Sequence, residues 1–143
     1  MSKFSRFMKS NKTEKKNEMY APTKSLCDEN GEPLKWEFRH MTAREAEELR
    51  DECTIDVQVT GKPNMFRPKL QSSKYVRKMI AKSVVMPDLY DAELQDSYGV
   101  STPEELLIAM VDDPGEYSEL TAFVQKFQGF DTSFDDKVDE AKN

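Results

Sequence analysis

The stretch STPEELLIAMVDDPGEYSELTAFVQKFQG, residues 101–129, predicts two consecutive helices, each with its own start signal. Thr102 is a favourable N-cap residue, and Pro103 fits the first helical turn, where a missing backbone N–H is tolerated. Asp113 and Pro114 repeat the same arrangement eleven residues later. A glutamate follows three residues after each cap, which completes the pattern of a capping box.

An apolar stripe in the second helix indicates which of its faces is buried. Its members recur at spacings of three and four: Tyr117, Leu120, Phe123, Val124 and Phe127. Gly129 is typical of a helix C-terminus. Beyond it, DTSFDDKVDEAKN, residues 131–143, predicts a last short helix capped by Asp131 or Thr132.

Six carboxylates fall in MPDLYDAELQDSYGVSTPEELL, residues 86–107, and raise the question of a metal site. Asp88 occupies the N-cap position of a further helix that ends at Gly99, and Asp91 lies near its start, where the helix dipole favours negative charge. A calcium loop needs acids at alternate positions, a central glycine and a glutamate at position twelve, and DLYDAELQDSYG does not match. These acids are predicted to start and solvate helices rather than to bind an ion.

Residue types that support catalysis or zinc binding are scarce. The chain has one histidine, His40, and two widely separated cysteines, Cys27 and Cys53, which fit reduced thiols better than a disulfide framework. As a general base His40 would need a nucleophile and an orienting acid, and Glu45 is assigned to a helix cap. The five glycines are isolated, so no phosphate-binding loop is present. We predict a protein that is not an enzyme, with no catalytic residues, no metal ligands and no cofactor.

Two helices are predicted upstream. Thr42 and Glu45 form a capping box at the start of TAREAEELRDEC, and this helix runs to about Cys53. From Ser72 an apolar stripe predicts a helix that continues until Pro87 stops it; the stripe comprises Val76, Met79, Ile80, Ser83 and Val84.

Two short β-hairpins are predicted in the first half. Asn30-Gly31 suits a tight turn, and the alternating residues Leu34, Trp36 and Phe38 follow it. The second hairpin has a strand with Ile55, Val57 and Val59 in alternation, a Gly-Lys-Pro-Asn turn, and a short return through Phe66, which Pro68 limits to an edge position.

Composition and charge limit the number of domains and the classes of partner that this chain can have. The 143 residues suit one domain, with 37% hydrophobic and 34% charged residues. The net charge of −6 is divided unevenly: residues 1–87 hold 18 basic and 12 acidic residues, whereas residues 88–143 hold 3 and 15. An acidic half repels phosphates, so we predict no nucleic-acid partner. No apolar run is long enough to span a bilayer, so we predict no membrane partner.

We therefore predict an α+β fold that is predominantly α-helical, with one or two short N-terminal β-hairpins followed by a compact bundle of four to five short helices. Residues 1–24 are expected to form a basic, partly disordered N-terminal arm, and residues 25–143 a single domain.

Aromatic residues are the best candidates for partner binding. Several of them concentrate in the otherwise acidic C-terminal region, and two more lie on one side of the basic arm: Phe123, Phe127, Phe130, Phe134, Phe4 and Phe7. Most of the C-terminal group fits a core between helices, and the remainder, especially Phe130 and Phe134, could form an exposed groove or patch.

Three segments together also resemble a known family: SLCDENGEPLKWEFR, ECTIDVQVTGKPNMFRPKL, and the run VVMPDLYDAELQDSYGVSTPEELLIAMVDDPGEYSELTAFVQKFQGFD. They are similar to the XkdN-like tail assembly chaperones of contractile-tailed phages and prophages of Gram-positive bacteria. The most specific parts are PDLYDAELQDSYGV and DDPGEY, and the resemblance covers about residues 24–143.

The resemblance implies a non-enzymatic protein of the host cytoplasm that binds the phage tape-measure protein, helps recruit tail tube subunits, and is absent from the mature virion. The alternative is a structural tail or baseplate component that is retained in the virion. From the charge division we add the hypothesis of self-association, in which the basic arm of one copy meets the acidic half of another.

Overall fold

The computed structural model describes residues 2–130, which form two small antiparallel sheets and five α-helices. In chain order the elements are β1 (Glu18–Tyr20), β2 (Trp36–Phe38), α1 (Ala43–Glu52), β3 (Thr54–Val59), β4 (Lys62–Leu70), α2 (Ser72–Ser83), β5 (Val84–Met86), α3 (Ala92–Ser97), α4 (Pro103–Met110) and α5 (Pro114–Phe127). Two 3-10 turns, Ser5–Phe7 and Lys9–Asn11, precede them. The predicted α+β class with helices predominating is confirmed. The helix predicted over residues 131–143 lies outside the described residues.

Helix starts follow the local signals closely. Thr42 caps α1 with a complete capping box, Thr102 caps α4, and Asp113 caps α5 through the amide of Glu116. The exception is α3, which is capped by Asp91 through the amide of Leu94. Asp88, the predicted cap, instead accepts a hydrogen bond from the amide of Tyr90 in the turn before the helix. Both aspartates can bond to an amide two or three residues ahead, and only one of them precedes helical backbone.

The three-stranded sheet has the order β1-β2-β5, so β2 is its central strand. Trp36 and Phe38 on β2 are buried, as expected, whereas Leu34, predicted on the same face, is 44% exposed. The Asn30-Gly31 turn is present with Gly31 at φ +81°, but the residues before it do not pair with β2. Instead β1, from the segment expected to be an arm, pairs with β2 on one side. The alternation of apolar residues correctly predicted strand β2, but its partner strands β1 and β5 are distant from it in sequence.

The C-terminal end of α2 also differs from the prediction, in which the helix continued until Pro87. The helix stops at Ser83, and Val84–Met86 form β5, where Val84 pairs with Phe38. Continuing the helix to Pro87 would leave this edge of β2 unpaired. Because β-branched valines suit extended backbone, the change from helix to strand is also locally favourable.

The core lies between β2 and the helices. Its fully buried side chains include Phe38, Met79, Ile80, Leu106, Leu107, Leu120 and Val124. α2 is central, since it packs against α1, α4 and α5. Next to α5, Thr23 Oγ1 and the Lys24 amide each donate a 2.8 Å hydrogen bond to the carboxylate of Glu116, which fixes the segment after β1 against the start of this helix.

The partly buried carboxylate of Glu45, in the first turn of α1, makes folding stability depend on pH. Its carboxylate accepts two hydrogen bonds from Arg39 (2.7 and 3.1 Å) and one from the Thr42 amide (3.1 Å). The Arg39 hydrogen bonds, followed by the Thr42 amide, lower the pKa of Glu45 from 4.5 to about 2. Since the folded carboxyl holds its proton less tightly than the unfolded one, its stabilisation is complete above the unfolded pKa and is lost as the pH falls toward the folded pKa.

We therefore expect Glu45→Gln to lower the free energy of unfolding at pH 7 by about 1–2 kcal/mol, a range discounted for partial solvent screening. The difference from the unmodified protein should shrink as the pH falls from the ordinary pKa of 4.5 toward 2. Urea unfolding at several pH values measures this difference in the free energy of unfolding. Glu48→Gln, at an exposed position on the same helix, is the matched control and should change little. A difference for Glu45→Gln that stays constant with pH would contradict the explanation.

Candidate partner-binding groove

A groove lies between the residues that lead into β1 and the C-terminal half of α5. Its volume is about 590 Å³, and it is lined by Lys16, Asn17, Glu18, His40, Phe123, Lys126 and Phe127. Two of the predicted partner-binding residues, Phe123 and Phe127, therefore lie side by side in one concave surface. Their spacing of four residues places them on the same face of α5.

The three aromatic side chains that line this groove, Phe123, Phe127 and His40, belong to a continuous row of stacked rings. Tyr20 stacks on Phe123 with ring centroids 4.2 Å apart, and Phe123 lies 5.8 Å from Phe127 in a nearly parallel arrangement. Phe127 in turn stacks on His40 at 3.9 Å. Phe38 supports the row from the core, with its ring edge-to-face on Phe123 at 5.2 Å. Because each ring is packed on the next, the surface is preorganised for an apolar ligand face.

Gln128 holds the end of α5 in place. Its Oε1 accepts a hydrogen bond from the Met41 amide at 2.9 Å, while its Nε2 donates to the Arg39 carbonyl at 3.0 Å and to Ser83 Oγ at 2.8 Å. The first two contacts flank His40 and so fix the wall of the groove relative to Phe127. Nothing in the sequence pattern singles out Gln128, because a glutamine after a helix is usually solvated and its partners here are more than 40 residues away along the chain.

Charged side chains line the groove beside its aromatic rings. Lys16 and Lys126 are the two cations that line the groove, and Glu18 is the anion. Burial, then the charges of Glu119 and Glu116, raises the pKa of Tyr20, so its hydroxyl stays neutral at physiological pH. His40 Nδ1 is buried without a hydrogen-bond partner among residues 2–130. The imidazole stacks on Phe127 as a flat part of the groove lining, and within residues 2–130 no carboxylate orients its Nδ1 for proton transfer.

The other predicted binding residues lie elsewhere. Phe4 and Phe7 are 58% and 84% exposed on the N-terminal turns and meet edge-to-face at 6.3 Å. Phe130 follows Gly129 and is partly buried against the core, outside the groove. Phe134 lies outside the described residues.

The carboxylates of residues 86–107 have separate contacts. Asp91 caps α3, Glu104 lies 3.5 Å from Lys78, and Glu105 accepts a long hydrogen bond from the Ser101 amide. Within residues 2–130 no three His, Cys, Asp or Glu side chains form a cluster that could hold a metal ion. In the same part of the chain no helix has both the length and the apolar character needed to cross a membrane.

Comparison with known proteins gives consistent results. The sequence profile of phage XkdN-like tail assembly chaperone proteins matches residues 4–142. The XkdN protein of the phage-like element PBSX of Bacillus subtilis (strain 168) is 25% identical over 138 residues, which cover 96% of this chain and 92% of XkdN. YqbN of the same strain is 25% identical over 121 residues, covering 85% of this chain and 80% of YqbN.

The fold is also shared with a solved structure. The crystal structure of the protein YqbN superposes with a TM-score of 0.74 at 21% identity, and the match covers 92% of this chain and 99% of that one. At this identity the superposition establishes the fold, while the profile match over nearly the whole chain establishes the family. This chain therefore belongs to the XkdN-like family of phage tail assembly chaperones.

Proposed function

We propose that this protein is a non-enzymatic chaperone of the host cytoplasm that binds the phage tape-measure protein, promotes assembly of the tail tube around it, and leaves before the virion is complete. The observation that carries the proposal is the aromatic groove with Lys16 and Lys126 among its lining residues. Family membership supports the role in tail assembly.

The groove suits one class of ligand. An amphipathic helix could place apolar side chains on the stacked Phe123 and Phe127 rings, while acidic residues beside its apolar stripe meet the two lysines. The proposal requires that the tape-measure protein exposes such stripes on long helices before the tube encloses them. Covering apolar stripes with a shallow, reversible site would keep the partner dissolved without a tight complex.

The N-terminal turns are a second proposed contact. Phe4 and Phe7 are exposed and lie in a segment rich in lysine, so they could extend the contact with a long partner. Tail tube subunits are the further partner in this proposal. No residue of this chain is assigned to them.

Co-expression with the tape-measure protein tests the proposal directly. The full chain should raise the soluble fraction of the tape-measure protein and should co-purify with it. Lys16→Glu/Lys126→Glu should lower the amount recovered about tenfold, since each reversal replaces attraction by repulsion at the groove. Lys35→Glu/Lys74→Glu changes the charge equally at exposed positions outside both the groove and the N-terminal turns, and it should retain most binding.

Two results would contradict the proposal. One is an insoluble tape-measure protein that is unaffected by this chain. The other is detection of this chain in purified virions by mass spectrometry at the copy number of a structural subunit, which would favour a retained tail or baseplate component.

A further inference from the structure

Residues 131–143, which follow the described part of the chain, start from a fixed point at the end of α5. The helix ends in a Schellman motif, in which the Gly129 amide donates to the Lys126 carbonyl at 3.0 Å. The Phe130 amide donates to the Gln125 carbonyl at 2.9 Å in the same motif. Gly129 has φ +93°, and Phe130 is partly buried against the core. The chain therefore continues from an anchored phenylalanine.

This starting point is close to the aromatic groove. Phe127, which lines the groove, precedes Phe130 by three residues, so their Cα atoms are at most about 11 Å apart. Phe134 follows Phe130 by four residues, and an extended segment of that length spans up to about 14 Å. The ring of Phe134 can therefore reach the rings of the groove without any change in residues 2–130.

The sequence that follows, DTSFDDKVDEAKN, combines apolar and acidic side chains. Phe134, Val138 and Ala141 recur at spacings of four and three, which is the pattern of one helix face. Asp135 directly follows Phe134, and Asp139 directly follows Val138. The whole stretch contains five acids and two lysines. We call residues 131–143 the acidic segment.

The groove has the complementary chemistry. Its stacked rings present apolar area, and Lys16 and Lys126 are exposed beside them. Among residues 2–130 neither of these lysines forms an ion pair. Glu18 is the one acid in the groove lining. The groove is therefore apolar with a net positive charge, whereas the acidic segment is apolar on one side with a net negative charge.

We propose that the acidic segment docks in the groove of its own molecule, with Phe134 and Val138 on the stacked rings and its acids beside Lys16 and Lys126. Docking covers the exposed apolar rings while no partner is bound. A tape-measure protein then binds by displacing the segment. This regulatory consequence rests on the proposed function, whereas the docking itself does not.

The short connection sets the expected strength of docking. A short tether gives a segment an effective concentration on the order of 1 mM at its site. A contact with a dissociation constant of about 0.1 mM would then be occupied in about 90% of molecules. A competing ligand would bind about tenfold more weakly than to an open groove. Docking of this strength disfavours weak ligands, and a partner with many apolar stripes can still displace it.

NMR of the full chain tests the docking without a partner. His40 is the only histidine of the chain and lines the groove, so its ring proton signals report on groove occupancy. They should show nuclear Overhauser contacts with the ring of Phe134 at every protein concentration. Phe134→Ser/Val138→Ser should move the His40 signals. Lys137→Ser/Lys142→Ser, the matched control in the same segment, should leave them unchanged.

A synthetic peptide of residues 131–143 provides a competition experiment. Added to the Phe134→Ser/Val138→Ser protein, it should return the His40 signals toward their position in the unmodified protein. Its affinity for this variant should be about tenfold higher than for the unmodified protein, whose groove is already occupied. Equal thermal melting of the two proteins by circular dichroism would show that the variant is folded.

Charge reversal on both sides tests the proposed ion pairs. Adding Lys16→Glu/Lys126→Glu to the Phe134→Ser/Val138→Ser protein should weaken peptide binding about tenfold. A peptide that carries Asp135→Lys/Asp139→Lys should recover most of this loss, because attraction is restored. Recovery would not follow if the two substitutions on the protein had only damaged the groove.

Tape-measure binding distinguishes this inference from the proposed function. Phe134→Ser/Val138→Ser should raise the affinity for the tape-measure protein about tenfold, since no segment then competes. A lower affinity would instead make Phe134 a direct contact with the partner and would overturn the inference. Docking seen by NMR, with no tape-measure binding by either protein, would refute the proposed function and support the docking.

Three further results would overturn the inference. One is that Phe134→Ser/Val138→Ser leaves the His40 signals unchanged. Another is that the contacts between His40 and Phe134 disappear on dilution, which would place the segment in the groove of a second copy. The third is a peptide that binds the unmodified protein and the variant equally.

Discussion

Replacing Phe38 with alanine is expected to lower the free energy of unfolding by about 3–5 kcal/mol. Phe38 is completely buried in the central strand β2, where its ring contacts Tyr20 and Phe123 edge-to-face. The truncation would remove the support of the sheet, of α5 and of the aromatic row at once. Since whole domains are stable by only about 5–15 kcal/mol, this loss is a large fraction of the total.

Urea unfolding followed by circular dichroism measures this effect. Phe66→Ala is the matched control, because the same truncation at a 63% exposed position of β4 should change stability by no more than about 0.5 kcal/mol. Equal effects of the two substitutions would show that β2 is not at the centre of the core.

Phe127→Ser is expected to weaken binding of the tape-measure protein about 10- to 100-fold, or about 1.4–2.8 kcal/mol. Phe127 forms the middle of the groove surface, between Phe123 and His40. The serine would remove the ring that an apolar ligand face covers, and it would expose a gap beside the imidazole. Phe127→Leu keeps most of the apolar area and should retain most of the affinity.

Binding must be separated from folding in this experiment. Phe127 is only half-buried, so its removal should leave the protein folded, and thermal melting would show this. Phe66→Ser is the matched control at a 63% exposed phenylalanine of β4, outside both proposed contacts. Loss of affinity with Phe7→Ser and none with Phe127→Ser would place the main contact on the arm.

Local sequence signals were sufficient for the starts of α1, α4 and α5 and for the buried stripe of α5. A cap joins a side chain to an amide three residues ahead, as with Thr42 and Glu45, so the information lies within a single turn. The short range of this signal also explains the error at α3. Asp88 and Asp91 both fit the cap pattern, but only Asp91 directly precedes helical backbone in the structure.

What the sequence by itself determined was therefore the presence of the five helices within residues 2–130 and the capping residues of α1, α4 and α5, together with a phenylalanine pair on one face of α5. Only the tertiary structure decided that β1 and β5 flank β2, that α2 ends at Ser83, and that His40 and the residues before β1 complete a groove around Phe123 and Phe127. The physical reason is distance along the chain. Contacts such as Gln128 with the Met41 amide join residues 87 positions apart, and no periodicity within one segment encodes its partner in another.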